Sequence, residues 1–188
     1  MKKVIICFIL LIGFHFTKAQ SFQETTKYIV KTEIKEDGSE FPSRVVSLLS
    51  RGGISEELVT LTINDSELFE DIFITALENP GLDGVSEVIK MQVEYLSCFA
   101  EVESYYYLVK ENQEIVPLPH LTNVYCDNTN TDSKYIFPNQ PHGIENSIRE
   151  TEFSYSENFE ITYTNVKQNF TWENNEFFEP KSTAITSY

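Results

Sequence analysis

The residues best placed to do chemistry in this chain are acidic. The run Asp127-Asn128-Thr129-Asn130-Thr131-Asp132 gathers the hard oxygen donors that calcium prefers. Counted from Asp127, position three is Thr129, position six is Asp132 where the calcium loop needs glycine, and position twelve is Pro138 where it needs a bidentate glutamate. The run therefore reads as a polar surface loop after Cys126. Glu101 and Glu103 lie on one face of a predicted strand, roughly 7 Å apart at a rise of about 3.3 Å per residue, a separation that glycosidase acids also show. Solvated strand faces place carboxylates at the same spacing, so the pair alone does not establish hydrolysis.

His120, His142, Cys98 and Cys126 carry the atoms a zinc site uses, yet no two of them stand at the short spacing of metal knuckles. No metal and no cofactor is therefore assigned. The same histidines could act as bases for a serine, but no Gly-x-Ser-x-Gly elbow positions one. In an oxidising compartment Cys98 and Cys126 are expected to pair as a structural disulfide, which would stabilise the fold by about 3 to 4 kcal/mol. Tyr105-Tyr106-Tyr107, with Phe99 and Tyr95 nearby, offers flat amphipathic area for binding a sugar or a protein, although tyrosine is also common in ordinary strands.

The elements that must position these residues are mostly strands. Tyr28, Val30, Thr32 and Ile34 alternate with charged residues, and the turn residues Glu36-Asp37-Gly38-Ser39 lead into a second apolar run, Val45–Leu49, so the two form a hairpin. Leu58–Ile63 alternates again. Ser66–Glu78 is expected to be helical, because Leu68, Phe69, Ile72, Phe73, Ala76 and Leu77 recur with helical spacing, Asn64 and Glu67 form a capping pair, and Asn79-Pro80-Gly81 would end the helix. Its Ile72-Phe73-Ile74-Thr75 core is β-prone and argues the other way. Glu87–Tyr95 reads as a strand with Ile89, Met91, Val93 and Tyr95 on one face and Lys90, Gln92 and Glu94 on the other, and Phe99–Val109 as the next. Pro117 and Pro119 confine Ile115–Pro119 to a sheet edge or connector.

Phe153–Tyr155 and Phe159–Tyr163 bracket one hairpin turn, and Phe170–Trp172 and Glu176–Phe178 bracket a second around Asn174-Asn175. That second register sets Trp172 across from Phe177 and Glu173 across from Glu176. The fold class expected is mainly β: an antiparallel β-sandwich or barrel-like sheet built from hairpins, with at most one or two short helices. No repeat, low-complexity tract or linker divides it.

The N-terminus follows the export pattern: Lys2-Lys3, the apolar run Val4–Phe14, and cleavage expected between Ala19 and Gln20. The apolar run is far shorter than the roughly 20 residues that span a bilayer. Residues 1–19 are thus a signal peptide and 20–188 a single exported domain, periplasmic or extracellular, with no transmembrane segment in the mature chain. Cleavage removes three lysines and no acid, leaving eleven cations against 29 acids, a charge of −18. Such a surface repels nucleic acid and anionic membranes and suits a cationic partner, while also keeping an exported protein soluble. The expectation is a non-catalytic binding protein of the bacterial envelope or its exterior, with a basic protein as partner. A hydrolase of envelope polymers and a structural or assembly component of the envelope are the alternatives.

Overall fold

The computed structural model describes residues 20–35, 38, 42–52, 56–64, 67–126, 130–174 and 176–178. Thirteen strands follow one another: β1 (Gln23–Glu24), β2 (Tyr28–Lys35), β3 (Ser43–Ser50), β4 (Glu56–Ile63), β5 (Phe69–Glu78), β6 (Val85–Leu96), β7 (Ala100–Lys110), β8 (Ile115–Pro117), β9 (Leu121–Tyr125), β10 (Thr131–Ile136), β11 (Ser147–Tyr155), β12 (Ile161–Glu173) and β13 (Glu176–Phe178). They make three sheets with antiparallel pairing throughout. The central sheet has the order β1-β5-β6-β7-β8, with β9 also on β7; a three-stranded sheet has the order β2-β3-β4, and a four-stranded sheet β10-β11-β12-β13.

Side-chain alternation on β6 and β7 explains the layering. Ile89, Met91 and Val93 on β6 and Tyr107 on β7 point one way and pack with Tyr28, Val46, Leu48 and Ile63 of the three-stranded sheet. Val88, Tyr106 and Leu108 point the other way and pack with Tyr135, Ile148, Phe170 and Trp172 of the four-stranded sheet. The central sheet is therefore covered on both faces, and the molecule has two cores. Polar clamps hold the second pair of layers together. The Asn123 amide donates to the Ser133 carbonyl at 3.0 Å and its oxygen accepts the Ser133 N–H at 2.8 Å, while Trp172 Nε1 donates to the Asp83 carbonyl at 2.9 Å.

The expected β class is what the fold adopts. The β2–β3 hairpin forms, β8 lies at an edge of the central sheet, and Trp172 faces Phe177 while Glu173 faces Glu176. Asn174, at a φ of 53°, carries the turn between those strands; Asn175 lies outside the described residues. The helix expected over Ser66–Glu78 is corrected: Phe69–Glu78 is strand β5, and Ser66 lies outside the described residues. Ladder pairing with β6 satisfies its backbone, and alternation sends Ile72, Ile74 and Ala76 to one core face and Thr75 and Leu77 to the other. No helix occurs among the described residues. The segments read separately as Phe159–Tyr163 and Phe170–Trp172 belong to one long strand, β12, and Phe159 itself lies in the turn before it.

Candidate functional site

Two places on the β11–β12 and β10 side of the molecule combine exposed or unpaired groups with a concavity. The first is the tip of the β11–β12 hairpin. Ser156 organises the turn: its N–H donates to the Glu160 carbonyl, its carbonyl accepts the Phe159 N–H (both 2.9 Å), and its hydroxyl accepts the Glu160 N–H at 3.2 Å. This arrangement holds Phe159 at a φ of 60°, a conformation that bulky residues rarely adopt, and leaves its ring 88% exposed. Glu157 and Glu160 of the same turn are exposed, and Tyr163, on the strand that follows, is 61% exposed.

A cleft of about 310 Å³ opens beside Phe159, walled by Tyr125, Asp132, Tyr155 and Glu157. Tyr125 Oη donates to Asp132 Oδ1 at 3.2 Å, and Lys134 Nζ donates to Tyr155 Oη at 3.1 Å and sits 3.7 Å from Asp132 Oδ2. Burial, reinforced by Asp132, pushes the Tyr125 hydroxyl pKa well up, so it stays protonated and a donor. The register places Leu96, Ala100 and Tyr125 in one cross-strand row, and Leu96, Phe99 and Val124 are exposed with Tyr125 at this end of the central sheet. Aromatic and apolar surface thus meets carboxylates at one end of the sandwich.

The second place is a gap between the central and four-stranded sheets, a cavity of about 300 Å³. Lys90 of β6 and Lys134 of β10 both line it, with Phe22, Tyr106 and Phe153 as aromatic walls. Lys134 Nζ stands 4.3 Å from the centre of the Phe153 ring, and Lys90 Nζ 5.7 Å from that of Tyr106, its cross-strand neighbour. Burial lowers the Lys90 pKa; Asp132 opposes that shift and Lys134 adds to it. The loop of residues 138–143 rims the gap. It is held tightly, since a Cβ on Gly143 would collide with the carbonyls of Phe137 and Pro138.

The residues singled out from sequence are dispersed. Tyr105, Tyr106 and Tyr107 do not form a binding surface: Tyr106 is 1% and Tyr107 3% exposed, in different cores, because neighbours on a strand point to opposite faces. Tyr106 reaches only the wall of the gap. Glu101 and Glu103 do share a face of β7, but Glu103 is occupied, accepting the hydroxyls of Tyr105 at 2.6 Å and Tyr95 at 3.0 Å on one oxygen. His120 stacks on Tyr105 with ring centres 5.6 Å apart, whereas His142 lies beside Phe153 on the other layer and offers its carbonyl to Arg149. Among the described residues, no three His, Cys, Asp or Glu side chains converge in a way that could hold a metal ion.

The disulfide expected between Cys98 and Cys126 is not formed in the structure. Both side chains are exposed and no bond joins them. Of the acidic run 127–132, Asp127, Asn128 and Thr129 lie outside the described residues, and Thr131 and Asp132 belong to β10. Ala19 also lies outside them. Gln20 is described, and its backbone N–H donates to the Asn139 carbonyl at 3.3 Å beside the gap.

Phe159, Lys90, Lys134 and Phe153 were not singled out from sequence. Phe159 follows the turn signal Ser156-Glu157-Asn158 and passes for the first residue of a strand, and Lys90 occupies what alternation alone presents as a solvent face. No family profile, curated protein or solved structure matches the chain.

Proposed function

We propose that this chain is an exported, non-catalytic binding protein of the bacterial envelope or exterior, and that the end of the sandwich carrying Phe159 receives a cationic protein. The exposed ring of Phe159, held out in a left-handed backbone conformation between Glu157 and Glu160, carries the proposal. An aromatic side chain that a strained turn presents to water suits an interface anchor, and backbone strain of this kind concentrates at functional positions. The surrounding carboxylates and the charge of −18 supply the long-range attraction that would bring a basic partner onto the anchor. The cleft beside Phe159 would accept a side chain from that partner.

The test compares retention of envelope and extracellular proteins on immobilised wild-type protein and on Phe159→Ala. A basic protein held by the wild type, eluted by moderate salt and retained at least tenfold less by the variant is the expected result. Retention of no basic protein, or equal retention by both columns, would remove the proposal.

A further inference from the structure

The gap between the central and four-stranded sheets is charged against the rest of the molecule. The chain carries 29 acidic residues and 14 lysines and arginines, yet two of those lysines, Lys90 and Lys134, face the same small cavity. Their partners differ. Lys134 is engaged by Asp132 and Tyr155 and lies over the Phe153 ring. Among the described residues the Lys90 ammonium has neither a hydrogen bond nor an ion pair, and it lies 5.7 Å from the centre of the Tyr106 ring. Asp132 is the acid whose field reaches Lys90, and it is already bound by Lys134 and Tyr125.

A half-buried cation without a counter-charge is costly unless something supplies one. The walls decide what that something is. Phe22, Pro141 and Ile161 give the cavity its accessible apolar surface, Tyr106 and Phe153 lie behind it at 1% and 2% exposure, Gln20, Gln140 and His142 add polar edges, and about 300 Å³ lies at the small end of the range for ligand pockets. Water could solvate the ammonium, but it would gain nothing from Phe22, Pro141 and Ile161.

We infer that this gap binds a small anionic amphiphile, with its negatively charged head at Lys90 and Lys134 and its apolar body against Phe22, Pro141 and Ile161. Lys90 supplies the unmatched charge, and Lys134, already tied to Asp132, positions the head without being free to neutralise it alone. The site is independent of the partner proposed for the hairpin tip: it has the opposite charge and a different set of walls.

Calorimetric titration of the wild-type protein with decanoate, decanol and decyltrimethylammonium tests it, together with decanoate titration of Lys90→Met, which keeps the buried alkyl stem and removes the charge. Decanoate should saturate one site, decanol should bind at least tenfold more weakly, and decyltrimethylammonium should not compete with decanoate. Lys90→Met should lose at least tenfold in decanoate affinity while binding decanol as the wild type does. The inference is overturned if decanoate does not saturate below its micellar concentration, if decanol binds equally well, if the cationic amphiphile competes, or if Lys90→Met binds decanoate unchanged. Should the variant fail to fold, the head-group series on the wild type decides by itself.

Discussion

The hairpin tip and the inter-sheet gap lie within a few residues of each other on β10 to β12, yet they handle charge in opposite ways. At the tip, Glu157 and Glu160 stand in water around an exposed ring. Solvated carboxylates lose little hydration, and their field extends over about 8 to 10 Å before salt screens it. In the gap, Lys90 sits in a partly dehydrated recess whose effect on its pKa shows what the missing water costs. The tip is suited to attraction at a distance and the gap to neutralisation on contact. Asp132 and Lys134 mark the boundary, since the acid lines the tip cleft and the lysine lines the gap while the two pair at 3.7 Å.

Removing what the two regions share should have the largest effect. Trp172 is 2% exposed, packs in the core beneath the four-stranded sheet and clamps the Asp83 carbonyl through its indole N–H. Trp172→Ala should cost about 3 to 5 kcal/mol in denaturant unfolding and weaken both regions together. A loss below about 1 kcal/mol would mean that the four-stranded sheet is held mainly by other contacts.

A smaller change should separate the tip from the scaffold. Phe159 buries little surface and occupies a φ of 60°, so Phe159→Gly removes strain and should raise stability by about 1 kcal/mol while abolishing retention of a basic partner. Opposite movement of stability and binding is the signature of a residue kept for contact with a partner. A destabilised glycine variant would show instead that the ring supports the turn.

The smallest effect belongs to the gap and depends on pH. Burial holds the folded-state pKa of Lys90 below 10.5. Between that lowered value and 10.5 the unfolded chain binds more protons than the folded one, so stability from this group rises with pH. Its penalty is fully present below the folded value and fades as pH climbs towards 10.5. Lys90→Met should therefore have a higher thermal midpoint than the wild type at neutral pH, and the difference should narrow as pH rises through that window. The buried tyrosines titrate in both proteins and cancel in the comparison. A difference that stays constant with pH would assign it to packing rather than to charge.

Much of the scaffold was legible because strands announce themselves locally. Tyr28–Ile34, Leu58–Ile63 and Glu87–Tyr95 alternate as strands do, and the Trp172–Phe177 pairing followed from the short turn at Asn174. Ser66–Glu78 misled because Leu68, Phe69, Ile72 and Phe73 satisfy a helical period, although on the strand Phe73 is 47% exposed. The neighbouring strands make the strand preferable, since β6 pairs with nine of the ten residues of β5 and β1 covers part of its other edge. The sites were less legible. The tyrosine run looked like a surface because β-propensity is blind to what covers a strand, and Phe159 looked like a strand residue because its unusual φ leaves no mark in residue type.

By itself the sequence determined the β class, the β2–β3 and β12–β13 hairpins, the faces that side chains share on the strands it marked and the strongly acidic balance, since these depend on residue type and on a period of two. Tertiary structure alone decided what covers each face. It buried Tyr106 and Tyr107 in different cores and turned Lys90 from an expected solvent face into a cavity between sheets. The physical reason is common to both. Alternation says which side chains point together, whereas burial, pairing and charge environment depend on which distant strand arrives to meet them.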